Sequence, residues 1–300
     1  VALSPRRIIV AGASGLIGRA LVERLRQEGD EVRTLVRRTP HGPDEISWAP
    51  EARTVDTSVF EGVDAVINLA GASVGRIPWT AGYRRKLVTS RIETTRTLAE
   101  AMGQVRTPPR VFLSASAIGY YGDRPGHRIV DESSPGEGFF PDLVTKWEAA
   151  AANAPRATRV VTFRSAIVVA RSGGFAPIRV LTAFGLGARF GTGGQHWPWI
   201  SLEDEVRAIL HLLRSDLSGG VILAGPTPAT SDRITRAYAR AQHRWRILRV
   251  PEWAIRIPLG EAGERLLLDD LRVEPRRLAA DGFQWRHPRV EDAVAAVFER

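Results

Sequence analysis

Four apolar residues in succession, Ile8-Ile9-Val10-Ala11, stand between Arg6-Arg7 and a glycine-rich turn. A short apolar run with charged and glycine boundaries predicts a buried strand over Arg7 to Gly12. The period then changes. Leu16, Ile17, Ala20, Leu21 and Leu25 follow helical spacing, so a helix is expected from Leu16 to Glu28, with Gly29 as its stop. The alternation continues with strands at Glu31 to Val36, Asp64 to Leu69, Arg110 to Ser114 and Arg159 to Val169. Helices fall between them at Arg84 to Met102 and Pro141 to Ala152. Such alternation implies a parallel sheet with helices on both faces. After about Arg171 the pattern loosens. Glycines cluster at Ser172-Gly173-Gly174 and from Gly185 to Gly194, ahead of Trp197-Pro198-Trp199-Ile200. Helices are expected at Leu202 to Leu213, Ser231 to Gln242, through Leu268, and at Val290 to Phe298, with a short strand at Val221 to Ala224.

The first strand–helix junction carries candidate chemistry. In Gly12-Ala13-Ser14-Gly15-Leu16-Ile17-Gly18, Gly12 permits a tight turn and Gly15 lets a pyrophosphate approach the backbone. Gly18 permits close helix–strand packing. Free N–H groups and the positive end of the helix dipole favour phosphate there. The expected fold class is therefore α/β: a Rossmann-type doubly wound parallel sheet with a smaller C-terminal α/β substrate lobe. Residues 1–170 are expected to form the dinucleotide-binding domain, whose sheet also receives later segments. Residues 171–300 are expected to form the smaller lobe, against the carboxyl ends of the strands. The end of the second strand selects the nucleotide. An acid there would bind the ribose 2′-hydroxyl of NAD, but the chain has Leu35-Val36-Arg37-Arg38. Arginine pairs bidentately with a 2′-phosphate, and the Ser14 hydroxyl can add a contact, so NADP(H) is the expected cofactor. The alternative is two solvated arginines opening a loop.

Composition narrows the class. Hydrophobic residues make up 44% and charged residues 25% of the chain, as in ordinary globular proteins. No apolar run is long enough to span a membrane, and the segment before Ile8 lacks the apolar stretch of an export signal. With no cysteine, disulfides, thiolate metal sites and a thiol nucleophile are excluded, and a cytoplasmic location is expected. The net charge of +9 comes almost wholly from arginines scattered along the chain, many beside acids, so no nucleic-acid footprint is expected. No histidine pair stands at ligand spacing on a helix, so no metal is expected. The partner expected is a small molecule; monomer and homodimer both stay open.

The Gly12–Gly18 turn, Asn68-Leu69-Ala70-Gly71, and the run Leu113-Ser114-Ala115-Ser116-Ala117-Ile118-Gly119-Tyr120-Tyr121-Gly122 resemble the extended short-chain dehydrogenase/reductases. Further matches are Ser90-Arg91-Ile92-Glu93-Thr94-Thr95, Lys146-Trp147-Glu148, Gly193-Gly194-Gln195 with Trp199-Ile200, and Gly260-Glu261 to Arg277-Leu278. Together they make the chain similar to an atypical subgroup of NAD-dependent epimerase/dehydratase, or nucleoside-diphosphate-sugar-epimerase-like, proteins. The last match resembles that family's small C-terminal domain of unknown function. The resemblance implies that Leu69, Ala70 and Gly71 line the adenosine and pyrophosphate, and that Ser114 and Ser116 lie near the nicotinamide.

It also implies a catalytic tyrosine four residues before a lysine, and here the pattern fails. No tyrosine has lysine at that spacing; counted back from Glu148, the two positions hold Phe140 and Val144. Neither can move a proton or shift a neighbour's pKa. Ser116 remains, and Tyr121 is the leading substitute acid, with a packed aromatic as its alternative. Lys86 shares a helix face with Ser90, whereas Lys146 points away from the lost lysine's direction. Three readings stay open: hydride transfer with another proton donor, cofactor binding without turnover, and reduction of a substrate needing little acid assistance. Arg164, Arg189, Gln195, His196, Trp197 and Trp199 are candidate pocket liners, with lobe packing as the alternative for the tryptophans. Glu203-Asp204-Glu205 is expected to open a helix, its charges complementing the dipole.

Overall fold

The computed structural model describes residues 5–299. The elements begin β1 (Arg7–Ala11), α1 (Leu16–Gln27), β2 (Glu31–Val36), β3 (Glu45–Ala49), β4 (Thr54–Val55), β5 (Ala65–Asn68) and α2 (Ala81–Met102). They continue as β6 (Val111–Ala117), β7 (Arg128–Ile129), α3 (Phe139–Ala151), β8 (Arg159–Ser165), β9 (Ile167–Val169), α4 (Ala176–Ala183) and β10 (Gly187–Phe190). The remainder is β11 (Trp199–Ser201), α5 (Leu202–Arg214), β12 (Gly219–Leu223), α6 (Ser231–Ala241), β13 (Arg246–Val250), α7 (Glu252–Gly263), β14 (Arg272–Val273), α8 (Arg276–Ala280) and α9 (Val290–Ala296).

The main sheet has 8 strands in the order β12-β8-β6-β5-β1-β2-β3-β4, parallel except for the β3–β4 pair. β1 is central and buried on both faces, which is why its run reads apolar without alternation. Ile8 and Val10 pack into one layer with Leu21 and Leu25 of α1 and Ile209 and Leu213 of α5. Ile9 and Ala11 point the other way, toward Leu98 and Met102 of α2. Truncating a fully buried leucine such as Leu25 costs about 2–5 kcal/mol in cores of this kind. The chain leaves β1 for β2 on one side and later returns to β5 on the other. Open α/β sheets bind ligands at such a reversal, beyond the carboxyl ends of the strands.

Several elements depart from the sequence pattern. The apolar run from Arg159 to Val169 is two strands, because Ala166 breaks away and β9 pairs with β11 rather than with the main sheet. α2 starts at Ala81, three residues early, where the Thr80 hydroxyl accepts the Tyr83 N–H at 3.2 Å. β10 and β13 form a separate two-stranded pair in an arginine-rich stretch with no alternation to reveal it. β12, a later segment from beyond residue 171, closes one edge of the main sheet.

A second core lies among Phe175, Trp197, Trp199, Ile234, Tyr238, Val290 and Val294. The last segments are tied back through buried carboxylates. Asp131 accepts the N–H groups of Ile222 (2.6 Å) and Arg277 (3.1 Å). Asp204 accepts those of Arg286 (2.7 Å) and His287 (2.9 Å). Among the described residues no helix is long and apolar enough to cross a membrane.

Candidate functional site

The glycine turn after β1 is built for close backbone approach. Gly12 sits at φ +81°, and a Cβ there would lie 2.6 Å from the Leu69 carbonyl carbon. Only glycine meets both demands. A Cβ on Gly18 would run into the Gly12 carbonyl oxygen, so α1 packs directly on the turn. The Gly15 N–H donates to that same oxygen at 3.0 Å. Gly15 caps α1 in an extended conformation with no side-chain hydrogen bond, which leaves the first N–H groups, at Leu16 and Ile17, open to an anion. Ser14 and Gly15 are exposed beside them.

Beyond β2 the two arginines separate. Arg38 is bidentate on Glu45, and the hydrogen bond to Arg38 holds the Glu45 carboxyl down at about 2. Arg37 is exposed and bonds no carboxylate among the described residues.

The β5 exit forms the opposite wall. Asn68 is fully buried; its Oδ1 accepts the Ala70 N–H at 3.1 Å and its Nδ2 donates to Thr95 Oγ1 at 2.8 Å. The Trp147 indole donates to the same hydroxyl at 2.8 Å, fixing α2, α3 and the turn together. Leu69 and Ala70 abut Gly12, whereas the Cβ side of Gly71 faces Arg91, 3.4 Å from its Cγ and Cζ. Arg91 donates to the carbonyls of Ala72 (2.9 Å) and Leu87 (3.1 Å), and its guanidinium lies 5.2 Å from the Trp147 ring. Burial lowers its pKa to about 10, and no carboxylate bonds it among the described residues. A largely buried cation without a counter-charge at the β5 exit is the feature that sequence reasoning passed over. Arg91 appeared there only as part of a family match, and one arginine among so many carries no mark of burial.

Ser114, Ser116, Tyr121 and Arg164 are drawn into the interior. Ser114 is fully buried. Ser116 donates to Glu148 Oε1 at 2.5 Å, and Arg164 grips both Glu148 oxygens at 2.8 Å. Arg164 also donates to Tyr121 Oη (2.8 Å) and the Asp131 carbonyl (3.0 Å), and lies 3.6 Å over the Tyr120 ring. Gly220 in β12 makes room for it, since a Cβ there would lie 2.6 Å from the guanidinium. Burial pushes the Tyr121 hydroxyl well above its ordinary pKa, and no surface of this residue is accessible. The substitute-acid expectation for Tyr121 and the pocket-liner expectation for Arg164 therefore meet a closed network instead of a groove. Phe140 and Val144, at the lost tyrosine and lysine positions, form an apolar wall. Phe140 packs edge-on to Trp79 and against Gly119, and Val144 is buried.

The second-lobe candidates are likewise mostly structural. Gln195 Nε2 (2.9 Å) and the Trp197 indole (3.2 Å) both donate to the Leu267 carbonyl. Trp199 is buried, its indole on the Thr227 carbonyl at 3.0 Å. His196 pairs with Asp270 at 2.9 Å. Arg189 is half-exposed, donating to the Thr192 carbonyl.

The model of the NAD dependent epimerase/dehydratase family matches residues 8–225, and that of a domain of unknown function, DUF1731, matches residues 250–297. An epimerase family protein of Mycobacterium leprae is 40% identical over 292 residues, 96% of this chain and 94% of the relative. The crystal structure of human epimerase family protein SDR39U1 (isoform 2) with NADPH superposes with a TM-score of 0.90 at 30% identity, covering 97% of this chain and 98% of that one. A nucleoside-diphosphate sugar epimerase from Corynebacterium glutamicum superposes with a TM-score of 0.81 at 27% identity, covering 97% of this chain and 58% of that one. The chain therefore belongs to the NAD-dependent epimerase/dehydratase family.

Proposed function

We propose that this chain binds NADP(H) across the crevice between β1 and β5 and works as an oxidoreductase or epimerase-like enzyme on a small molecule. The observation that carries the reading is the uncapped start of α1, together with Arg37 after β2 and Arg91 at the β5 exit, neither bonded to a carboxylate among the described residues. A ligand with a pyrophosphate and a separate phosphate supplies the missing negative charge. The human relative solved with NADPH supports the same assignment. Gly12, Gly15, Leu16 and Ile17 hold the pyrophosphate. Arg37 and Ser14 take the 2′-phosphate, Leu69 and Ala70 flank the adenosine, and Arg91 reaches phosphate or ribose oxygens beyond Ala72. When bound, the cofactor supplies hydride. Of the second-lobe candidates, Arg189, 3.9 Å from Asp232, is exposed enough to meet a substrate anion.

Titration of tryptophan fluorescence with NADPH and NADH tests the assignment. The expected result is preference for NADPH by roughly 10-fold or more, abolished by Arg37→Ala. Equal affinity of the unmodified chain for both would overturn it.

A second reading, cofactor binding without turnover, is favoured by Phe140, Val144 and the bonding of Ser116 to Glu148. NADPH absorbance across a panel of aldehydes and ketones separates the two, since a sensor leaves the absorbance unchanged.

A further inference from the structure

Glu205 is the fully buried acid that the arrangement above leaves unused. It stands in the first turn of α5 with no accessible surface, and its Oε1 lies 2.5 Å from Ser165 Oγ. Its Oε2 has no hydrogen-bond partner, and no basic side chain bonds either oxygen among the described residues. Its neighbour Asp204, equally buried in the same turn, is fully partnered, accepting from Ser201, Arg207, Arg286 and His287. An ionised carboxylate in the position of Glu205 would be charged, dry and half unpaired, so the group keeps its proton. Burial pushes its pKa up to about 8.

The proton decides the direction of the hydrogen bond. A neutral carboxyl that donates through Oε1 leaves Oε2 as an unpaired carbonyl oxygen. The reverse arrangement strands an unpaired O–H, which is the costlier defect. Ser165 Oγ therefore accepts from Glu205, and the serine hydrogen is free to be donated elsewhere. Ser165 is half-buried at the carboxyl end of β8, opposite Ala117 of β6 and next to Arg164. That edge is where ligands of such sheets sit.

We propose that Ser165 and Glu205 form a proton-donating pair in place of the absent tyrosine and lysine, and that the site takes an aldehyde or ketone whose carbonyl oxygen accepts from Ser165. The proposal rests on the NADP(H) oxidoreductase reading above. In the step, hydride from NADPH forms a C–H bond at the carbonyl carbon while the C=O π pair moves to oxygen. That oxygen takes the Ser165 proton, and Ser165 takes the Glu205 proton. The products are an alcohol, NADP+ and a transient Glu205 carboxylate, which regains its proton from solvent through Ser165, its one hydrogen-bond partner, once the alcohol has left. Ser165 is the catalytic residue; Glu205 acts through it as a positioning residue and proton reserve.

The test uses the full chain with NADPH. Infrared difference spectra between the unmodified chain and Glu205→Gln at neutral pH are expected to show a carboxylic-acid carbonyl band belonging to Glu205. With 4-nitrobenzaldehyde as the probe, Ser165→Ala is expected to lower kcat by about 100-fold while KM and NADPH affinity stay within about 2-fold, and Ser165→Thr to restore much of the rate. Circular dichroism checks that each variant folds. An absent band overturns the pair whatever the chain turns over, and so does full kcat in Ser165→Ala. NADPH that binds but is never oxidised in the unmodified chain overturns the hydride-transfer reading, and the chemical role of the pair with it.

Discussion

Arg38 holds both oxygens of Glu45, at 2.8 and 2.7 Å, whereas its neighbour Arg37 bonds no carboxylate among the described residues. On the proposed function, Arg37 is the arginine of the pair with its charge free for a 2′-phosphate. Arg37→Ala is expected to weaken NADPH binding by about 10–100-fold, the worth of one or two charge-assisted hydrogen bonds, and to leave NADH binding unchanged. Arg38→Ala should change neither by more than about 3-fold, because its charge is already spent on Glu45. Calorimetric titration of the two variants separates the roles.

The same pair predicts an acid response. The folded Glu45 carboxyl is depressed from 4.5 to about 2 by the Arg38 hydrogen bond. Its contribution is present above the unfolded value and is lost as pH falls from 4.5 toward 2. NMR titration should place the Glu45 carboxyl shift in that lower window, and Arg38→Ala should move it back up. A midpoint at the ordinary glutamate value in the unmodified chain would contradict the ion pair.

Arg91→Met removes a desolvated cation without removing its apolar stem. Thermal stability is expected to hold or rise, since no carboxylate loses a partner, while NADPH affinity falls by roughly 10-fold or more. Scanning fluorimetry and titration on one preparation read both. Unchanged affinity would assign Arg91 to bracing the Ala72 turn alone.

Glu148→Ala leaves the Arg164 guanidinium buried without its acid. Breaking such a pair costs about 3–5 kcal/mol, visible as a lower urea midpoint. Replacing both partners, Glu148→Leu with Arg164→Met, should recover much of that loss. Tyr121→Phe, by contrast, removes one hydroxyl from the network and should cost about 1 kcal/mol. In a turnover assay with NADPH and 4-nitrobenzaldehyde its rate should stay near that of the unmodified chain.

The repeating core was legible because period and boundary residues agreed. β1, α1 and β2 lie within a residue of their expected limits, and the Gly12–Gly18 turn announces itself through glycines that nothing else can replace. What escaped reading depends on contacts between distant segments. Trp197 and Trp199 could be read as ligand-stacking groups or as lobe packing; β11 pairs with β9 and both rings lie in the second core with Phe175 and Tyr238. Arg164 looked like a ligand clamp, and only the packing of α3 on β8 brings Glu148 to it. In the triplet Glu203-Asp204-Glu205 the helix period turns two acids to different interiors. Asp204 meets the backbone of Arg286 and His287, and Glu205 meets Ser165. Short range supplies the helix start but not those assignments.

The carboxylates of Asp131 and Asp204 set an order of events during synthesis. Their backbone partners at Arg277, Arg286 and His287 leave the ribosome long after the glycine turn and most of the sheet. Until then each acid has only its earlier partners, Ile222 for Asp131 and Ser201 with Arg207 for Asp204, and the β12 edge lacks the clasp that joins it to α8. A nascent chain therefore holds a nearly finished nucleotide cradle on an unsealed frame. A chain ending before residue 277 lacks all three donors and is expected to open more readily at the β12 edge, which limited proteolysis would read.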